Sequence, residues 1–140
     1  MADNRTAAQR SYNMSRIRST NTKPELQVRR FLFSNGIRYR LHSKKLPGKP
    51  DIVINKLRTV VFVHGCFWHG HKNCKFTKIP KTNTKFWSNK IHANSERDIR
   101  NERALKKLGW RVFIIWECEL LQKKVEKTLE RLLNNLSSKN

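Results

Sequence analysis

A chain of 140 residues suits one compact fold around a single hydrophobic core and leaves no length for a second catalytic domain. Its 31 Lys and Arg against 10 Asp and Glu give a formal net charge of +21, which points to a polyanionic partner. The longest apolar runs, VVFV and VFIIW, are far too short to cross a bilayer, so no membrane partner is expected and nucleic acid is favoured.

The opening stretch MADNRTAAQRS lacks the apolar segment of a secretory signal, and a cytosolic location is expected. Residues 1–20 are polar and basic, with only Tyr12, Met14 and Ile17 as sizeable apolar groups. They read as an arm, followed by one domain over 21–136 and a disordered tail over 137–140. Thr22 and Glu25 have capping-box spacing, Pro24 sits in the first turn, and Leu26, Arg30 and Phe33 follow at helical intervals until Gly36 stops the helix.

IRYRLH, from Ile37, alternates apolar and basic residues as a half-exposed strand would, and LPGKP then forms a turn-rich loop. DIVI and TVVFVH, joined by NKLR, predict a buried hairpin. A hairpin centred between Leu57 and Arg58 puts Asp51 opposite His64, with Cα atoms roughly 4.5 to 5.5 Å apart. Residues 65–84 are too irregular for a regular element, and something other than a core must order them. A helix is predicted over about 85–108, with an interruption near Ala93 and Gly109 as its terminator. Residues 110–116 form a further buried strand, and Leu121, Val125, Leu129, Leu132 and Leu136 mark a last amphipathic helix. The order implies an α/β (α+β) fold, a mixed sheet flanked by helices.

All three cysteines fall near one loop and one strand end: Cys66 and Cys74 lie in CFWHGHKNC, and Cys118 follows the last strand. With His71 they make a Cys3His set of the kind that closes a structural zinc site, which would order the irregular loop. From spacing alone His69 could replace His71, and the bland alternative is a buried thiol at Cys118 with incidental loop cysteines.

GKPDIVI, then VFVHGCFWHGH with a following Cys, then TKFW, ERD and LGWRVFIIWEC, in that order and at those separations, resemble the very-short-patch repair (Vsr) endonucleases over about residues 14–118. The resemblance implies a restriction-endonuclease-like core with a structural zinc loop, and magnesium-dependent nicking of one DNA strand at a thymine mispaired with guanine, the product of 5-methylcytosine deamination. It implies that Asp51 and the backbone carbonyl of Val63 hold Mg2+, and that His69 activates or hydrogen-bonds the attacking water. His64, Asp98 and Glu25 would hold or orient the surrounding waters and imidazoles. Cys66, His71, Cys74 and Cys118 would hold structural Zn2+. Restriction-type nucleases usually place an acid and a lysine on the strand after the Pro-Asp pair; here that strand carries PheValHis, and the lysine role is vacant.

Bland alternatives stand beside these roles. Asp51 could merely start a strand, Glu25 could serve only the capping box, His64 could be a satisfied strand-end histidine, and Asp98 could pair with Arg97 or Arg100. His42 and His92 receive no role. Phe67, Trp68 and Trp87 lie in basic, polar surroundings and suit stacking or wedging at a weakened base step, with Phe86 beside them, although Trp87 could instead cap the core under the loop. Trp110 and Trp116 are core by strand position. In the resembling family the aromatics enter the duplex beside the mismatch while a residue matching Met14 approaches the minor groove. Arg16 and Arg18, with Arg5 and Arg10, would contact phosphates.

The expected partner is therefore double-stranded DNA bearing a mismatch, met by a monomer at the bacterial nucleoid, with a functional link to a cytosine-5 methyltransferase and mismatch-repair proteins. Two competing readings are a sequence-specific or broad-mismatch nicking nuclease on the same scaffold, and a non-catalytic zinc-stabilised DNA-binding module.

Overall fold

A computed structural model describes residues 21–137. The basic arm at 1–20, with Met14, Arg16 and Arg18, and the last three tail residues lie outside the described residues. Helix α1 spans Lys23–Ser34, and Thr22 caps it by accepting from the Glu25 N–H at 3.4 Å. Only that arm of the capping box forms with Thr22. The Glu25 carboxylate reaches the N–H of Asn21, one residue earlier, at 3.3 Å. Gly36, at φ +75°, ends the helix with the N–H of Ile37 on the Leu32 carbonyl and its own on Phe33. This is the left-handed stop that an L side chain would strain.

Strands β1 (Arg40–Leu41), β2 (Ile52–Ile54), β3 (Thr59–His64) and β4 (Arg111–Trp116) form one sheet in that order. The first two pairings are antiparallel and β3/β4 is parallel, so helix α2 (Thr84–Lys107) makes the crossover. Helix α3 (Val125–Ser137) follows a short 3₁₀ turn at Glu117–Leu120.

Alternation divides the core between the two sheet faces. Ile52, Ile54, Val61 and Ile115 pack with Val28 and Leu32 of α1 and with Leu132 and Leu136 of α3. Val53, Val60 and Phe62 lie with Leu105 of α2 and with Trp110, over whose ring the Arg58 guanidinium sits at 4.4 Å. The chain is thus a mixed α/β fold, its four-stranded sheet covered by helices on both faces.

Three local expectations are corrected. The first strand covers two residues, not the whole of IRYRLH, because only Arg40 and Leu41 find ladder partners on β2. Helix α2 runs unbroken through Ala93, since nothing in NKIHANSER breaks the backbone ladder. The hairpin closes on the pair Ile54 and Thr59 through a 3₁₀ turn at Asn55–Leu57 and a left-handed Arg58, so its centre lies one residue before the expected one and the pairing slips by two. Continued one step, that register sets Asp51 across from Phe62, not His64. A slip of two keeps the side-chain faces, so Asp51 and His64 still share the parity of Val53, Val60 and Phe62, on the side covered by α2.

Candidate active site and metal centre

A cleft of about 700 Å³ opens at this end of the sheet, lined by Asp51, His64, His69 and Asp98, with His42 and the cations Lys44, Lys49 and Arg97 also on its wall. Asp51 sits just before β2, and its Oδ2 accepts the N–H of Val63 at 2.8 Å. Burial lifts its pKa to about 6; the Val63 N–H works against that rise and the neighbouring Glu25 charge adds to it.

Glu25, for which a capping-box role is the bland alternative, is buried, and its carboxylate oxygen lies within 4.8 Å of an imidazole nitrogen of His42 and a carboxylate oxygen of Asp51. The two carboxylates so close offer hard oxygen donors that suit a small divalent cation, with the imidazole beside them.

His64, at the end of β3, stacks flat on His69 with ring centroids 3.8 Å apart and planes within 3°. Burial, and then the adjacent His69 ring, lower the His64 pKa to about 3, so the ring is neutral at physiological pH. Its Nδ1 is buried with no hydrogen-bond partner among the described residues. Asp98 of α2 pairs with neither neighbouring arginine; its Oδ2 meets His69 Nδ1 at 2.6 Å. A carboxylate there fixes the Nδ1–H tautomer and leaves Nε2 as the basic nitrogen.

The loop after β3 is pinned to α2 through its backbone. Asn94 donates to the Trp68 carbonyl and Ser95 to the His69 carbonyl, both at 3.0 Å. Gly70 makes the close approach possible: its φ is +62°, and a Cβ there would lie 2.8 Å from Ile91 Cγ2 and 2.9 Å from Ser95 Oγ. Gly70→Ala is therefore expected to cost ~1–3 kcal/mol, measured by urea unfolding, and to lower the activity that depends on the adjacent His69.

Beyond the loop, Cys66, His71, Cys74 and Cys118 bring their ligand atoms within 4.8 Å of one another, and His71 Nδ1 lies 3.4 Å from Cys118 Sγ. The ambiguity over His69 is thereby resolved, since His69 turns to Asp98 and His71 to the thiols. Burial pushes the Cys66 thiol up to about 12, so its thiolate would form only with a cation to displace the proton. Cys66 N–H also donates to Glu117 Oε1 at 3.0 Å, joining the ends of β3 and β4.

Trp116, expected in the core, lies between the two clusters. Its ring stacks on His71 at 4.1 Å and meets His64 edge-on at 5.1 Å. Phe67, Trp68 and Trp87 are half-buried and touch one another, with centroids 5.3 to 5.8 Å apart, and Phe86 stands 59% exposed beside Trp87. Trp87 thus belongs to an aromatic cluster at the loop and is not part of the buried core.

The sequence gives no role to His42 or Glu117 and marks Trp116 only as core. His42 reaches the site because the antiparallel β1/β2 register, extended by one step, pairs it with Asp51, whose carbonyl its N–H meets at 3.1 Å.

Residues 2–75 match the family described as DNA mismatch endonuclease Vsr. The chain belongs to the Vsr family. Among its relatives it is 51% identical over 137 residues to the type II nicking enzyme V.NmeAIP of Neisseria meningitidis serogroup A, covering 97% of each chain. It is 52% identical over 120 residues to the type II nicking enzyme V.XorIIP of Xanthomonas oryzae pv. oryzae, covering 86% of this chain and 88% of the relative. With the DNA mismatch endonuclease Vsr of Escherichia coli the identity is 46% over 120 residues, 86% of this chain and 76% of the relative. The expectation from the sequence motifs is met at this level: the chain is a Vsr-type DNA endonuclease with the restriction-endonuclease-like fold of that family, and no described helix is long and apolar enough to cross a membrane.

Proposed function

We propose that this Vsr-family enzyme nicks one strand of duplex DNA at a T:G mismatch left by 5-methylcytosine deamination, through magnesium-dependent phosphodiester hydrolysis. The observation that carries this reading is the convergence of Asp51, His64, His69 and Asp98 on one cleft with basic side chains in its wall. The names of the relatives, a mismatch endonuclease and two nicking enzymes, support the same reading.

Asp51 and the Val63 carbonyl would hold Mg2+, with Glu25 beside them. A bound divalent cation stabilises negative charge on the attacked phosphate. His69, oriented by Asp98, takes the proton of the attacking water at Nε2 as the new P–O bond forms and the bond opposite it breaks. His64, neutral and stacked beneath, holds that ring in place without competing for the proton. Cys66, His71, Cys74 and Cys118 would hold Zn2+ and keep the loop rigid.

Phe67, Trp68 and Trp87 enter the duplex beside the mismatch, where unstacking is cheapest. The arm at 1–20 brings Met14 to the minor groove and Arg16 and Arg18 to phosphates, ahead of a single endonuclease domain and a short tail. Such an enzyme acts as a monomer on the bacterial nucleoid in the cytoplasm, functionally linked to a cytosine-5 methyltransferase and mismatch-repair proteins.

Nicked products from duplexes carrying each mismatch and the matched pair, in several flanking contexts, test the proposal. One strand of the T:G duplex is expected to be cut on the order of 100-fold faster than the matched duplex, a difference of a few kcal/mol. Equal cutting of matched and T:G duplexes would leave a broad or sequence-specific nicking nuclease, and no cutting at all a DNA-binding module.

A further inference from the structure

We propose that His42 is a positioning residue, which ties the Glu25 carboxylate to the sheet so that it faces Asp51. The inference rests on the reading that Asp51 carries the chemistry.

Glu25 has a side chain only 2% exposed, and its carboxylate is gripped by three donors. Asn21 N–H meets Oε1 at 3.3 Å and Arg29 meets Oε2 at 3.1 Å. Arg29 lies on α1 itself and Asn21 just before its cap, so both belong to the same continuous stretch of chain as Glu25. The third donor, His42 Nε2 at 2.8 Å from Oε2, comes from the end of β1, 17 residues away. Of the three it alone fastens the carboxylate to the sheet. It is also the shortest.

His42 is itself registered on Asp51, because its backbone N–H donates to the Asp51 carbonyl at 3.1 Å. Its φ of +47° lies in the left-handed region that L side chains rarely adopt. Such a conformation persists only where its surroundings impose it, and it gathers at functional sites. Here it turns the imidazole toward Glu25. Without that bond, neither of the two remaining donors comes from the sheet to oppose the repulsion between the Glu25 and Asp51 carboxylates, and Glu25 is free to swing toward Arg29.

The test compares His42→Leu and His42→Asn, which remove the donor or shorten its reach, with His42→Gln, whose amide N–H can donate from a similar distance. Nicking of a T:G duplex is measured as kcat and KM on folded protein, with thermal melting recorded for each variant and Asp51→Asn run in parallel. His42→Leu and His42→Asn are expected to lose ~10- to 100-fold in kcat with KM unchanged. His42→Gln is expected to stay within about threefold of the parent. Parental kcat in His42→Leu or His42→Asn, a change confined to KM, or a His42→Gln variant no better than His42→Leu would overturn the proposal. If Asp51→Asn is inactive while His42→Leu is fully active, only the role of His42 falls. If Asp51→Asn nicks at the parental rate, the reading of Asp51 falls first.

Discussion

Asp51→Asn is expected to lower the nicking rate by ~10³-fold or more while leaving duplex affinity within about threefold of the parent. The reasoning follows from what the amide keeps and what it loses. Its carbonyl oxygen can still accept the Val63 N–H, the bond that seats residue 51 at the start of β2, so the local backbone has no reason to move. What disappears is the negative charge beside Glu25, and with it the anionic ligand a divalent cation requires. Phosphate contacts made by basic side chains elsewhere are unaffected, and these dominate affinity for DNA.

The folded state should not suffer either. Burial already holds the Asp51 pKa well above its usual range, so the ionised side chain is a cost to folding at neutral pH, and a neutral isostere matches or exceeds the parent in stability. Urea unfolding and a binding titration on the same T:G duplex, beside single-turnover nicking, separate these effects. A variant that binds poorly or unfolds easily would show that Asp51 is a structural residue.

The second large effect concerns the thiol cluster. One equivalent of zinc per chain is expected by elemental analysis, and stripping it with a chelator, or removing one ligand by Cys118→Ala, is expected to abolish nicking and to lower Tm by roughly 10 °C or more, the shift that a loss of ~3 kcal/mol brings in a fold of this size.

Cys118 lies in the 3₁₀ turn that follows β4, whereas Cys66, His71 and Cys74 belong to the loop after β3, so the cluster staples that loop to the end of the sheet. Two features make the staple reach the cleft. Trp116 stacks on His71 and touches His64, and His69 lies two residues before His71 in the same loop. Misplacing a catalytic group by about 1 Å can cost on the order of 10²-fold in rate. Full activity after complete removal of zinc would show that the loop is held without the ion, by its bonds to Asn94, Ser95 and Glu117.

How far the sequence carried is visible in particular residues. Gly36 and Gly109 marked their helix ends correctly because left-handed stops have a local signature, and both show φ values of +75° and +91° with the paired terminal hydrogen bonds. The β3 and β4 runs were legible because strands paired in parallel under helices are near-continuously apolar, and TVVFVH and RVFIIW supply such runs; β4, expected buried, is only half-buried apart from Ile115, because it is the edge strand.

The hairpin register was not legible, because it depended on a 3₁₀ turn and a left-handed Arg58 that NKLR does not announce. Its two-residue error did little harm, since side-chain faces repeat every two residues and Asp51 still met the histidines' cleft. The cysteines and His71 were legible by type and spacing. His42 was not: its partner Glu25 lies on another element, and the backbone conformation that aims it has no residue-type signal at a histidine. Trp116 was hidden differently, because an aromatic at a strand end in the core and one wedged between two imidazole clusters look the same in sequence.

A crystal structure of the Asp51→Asn variant with a T:G duplex tests most directly whether this cleft is where DNA is cut. The phosphate of the thymine strand is expected within roughly 6 Å of both residue 51 and His69, the reach of one bridging water, with Phe67, Trp68 and Trp87 at the mismatched step. A duplex seated on another face, with no phosphate near residue 51, would contradict it.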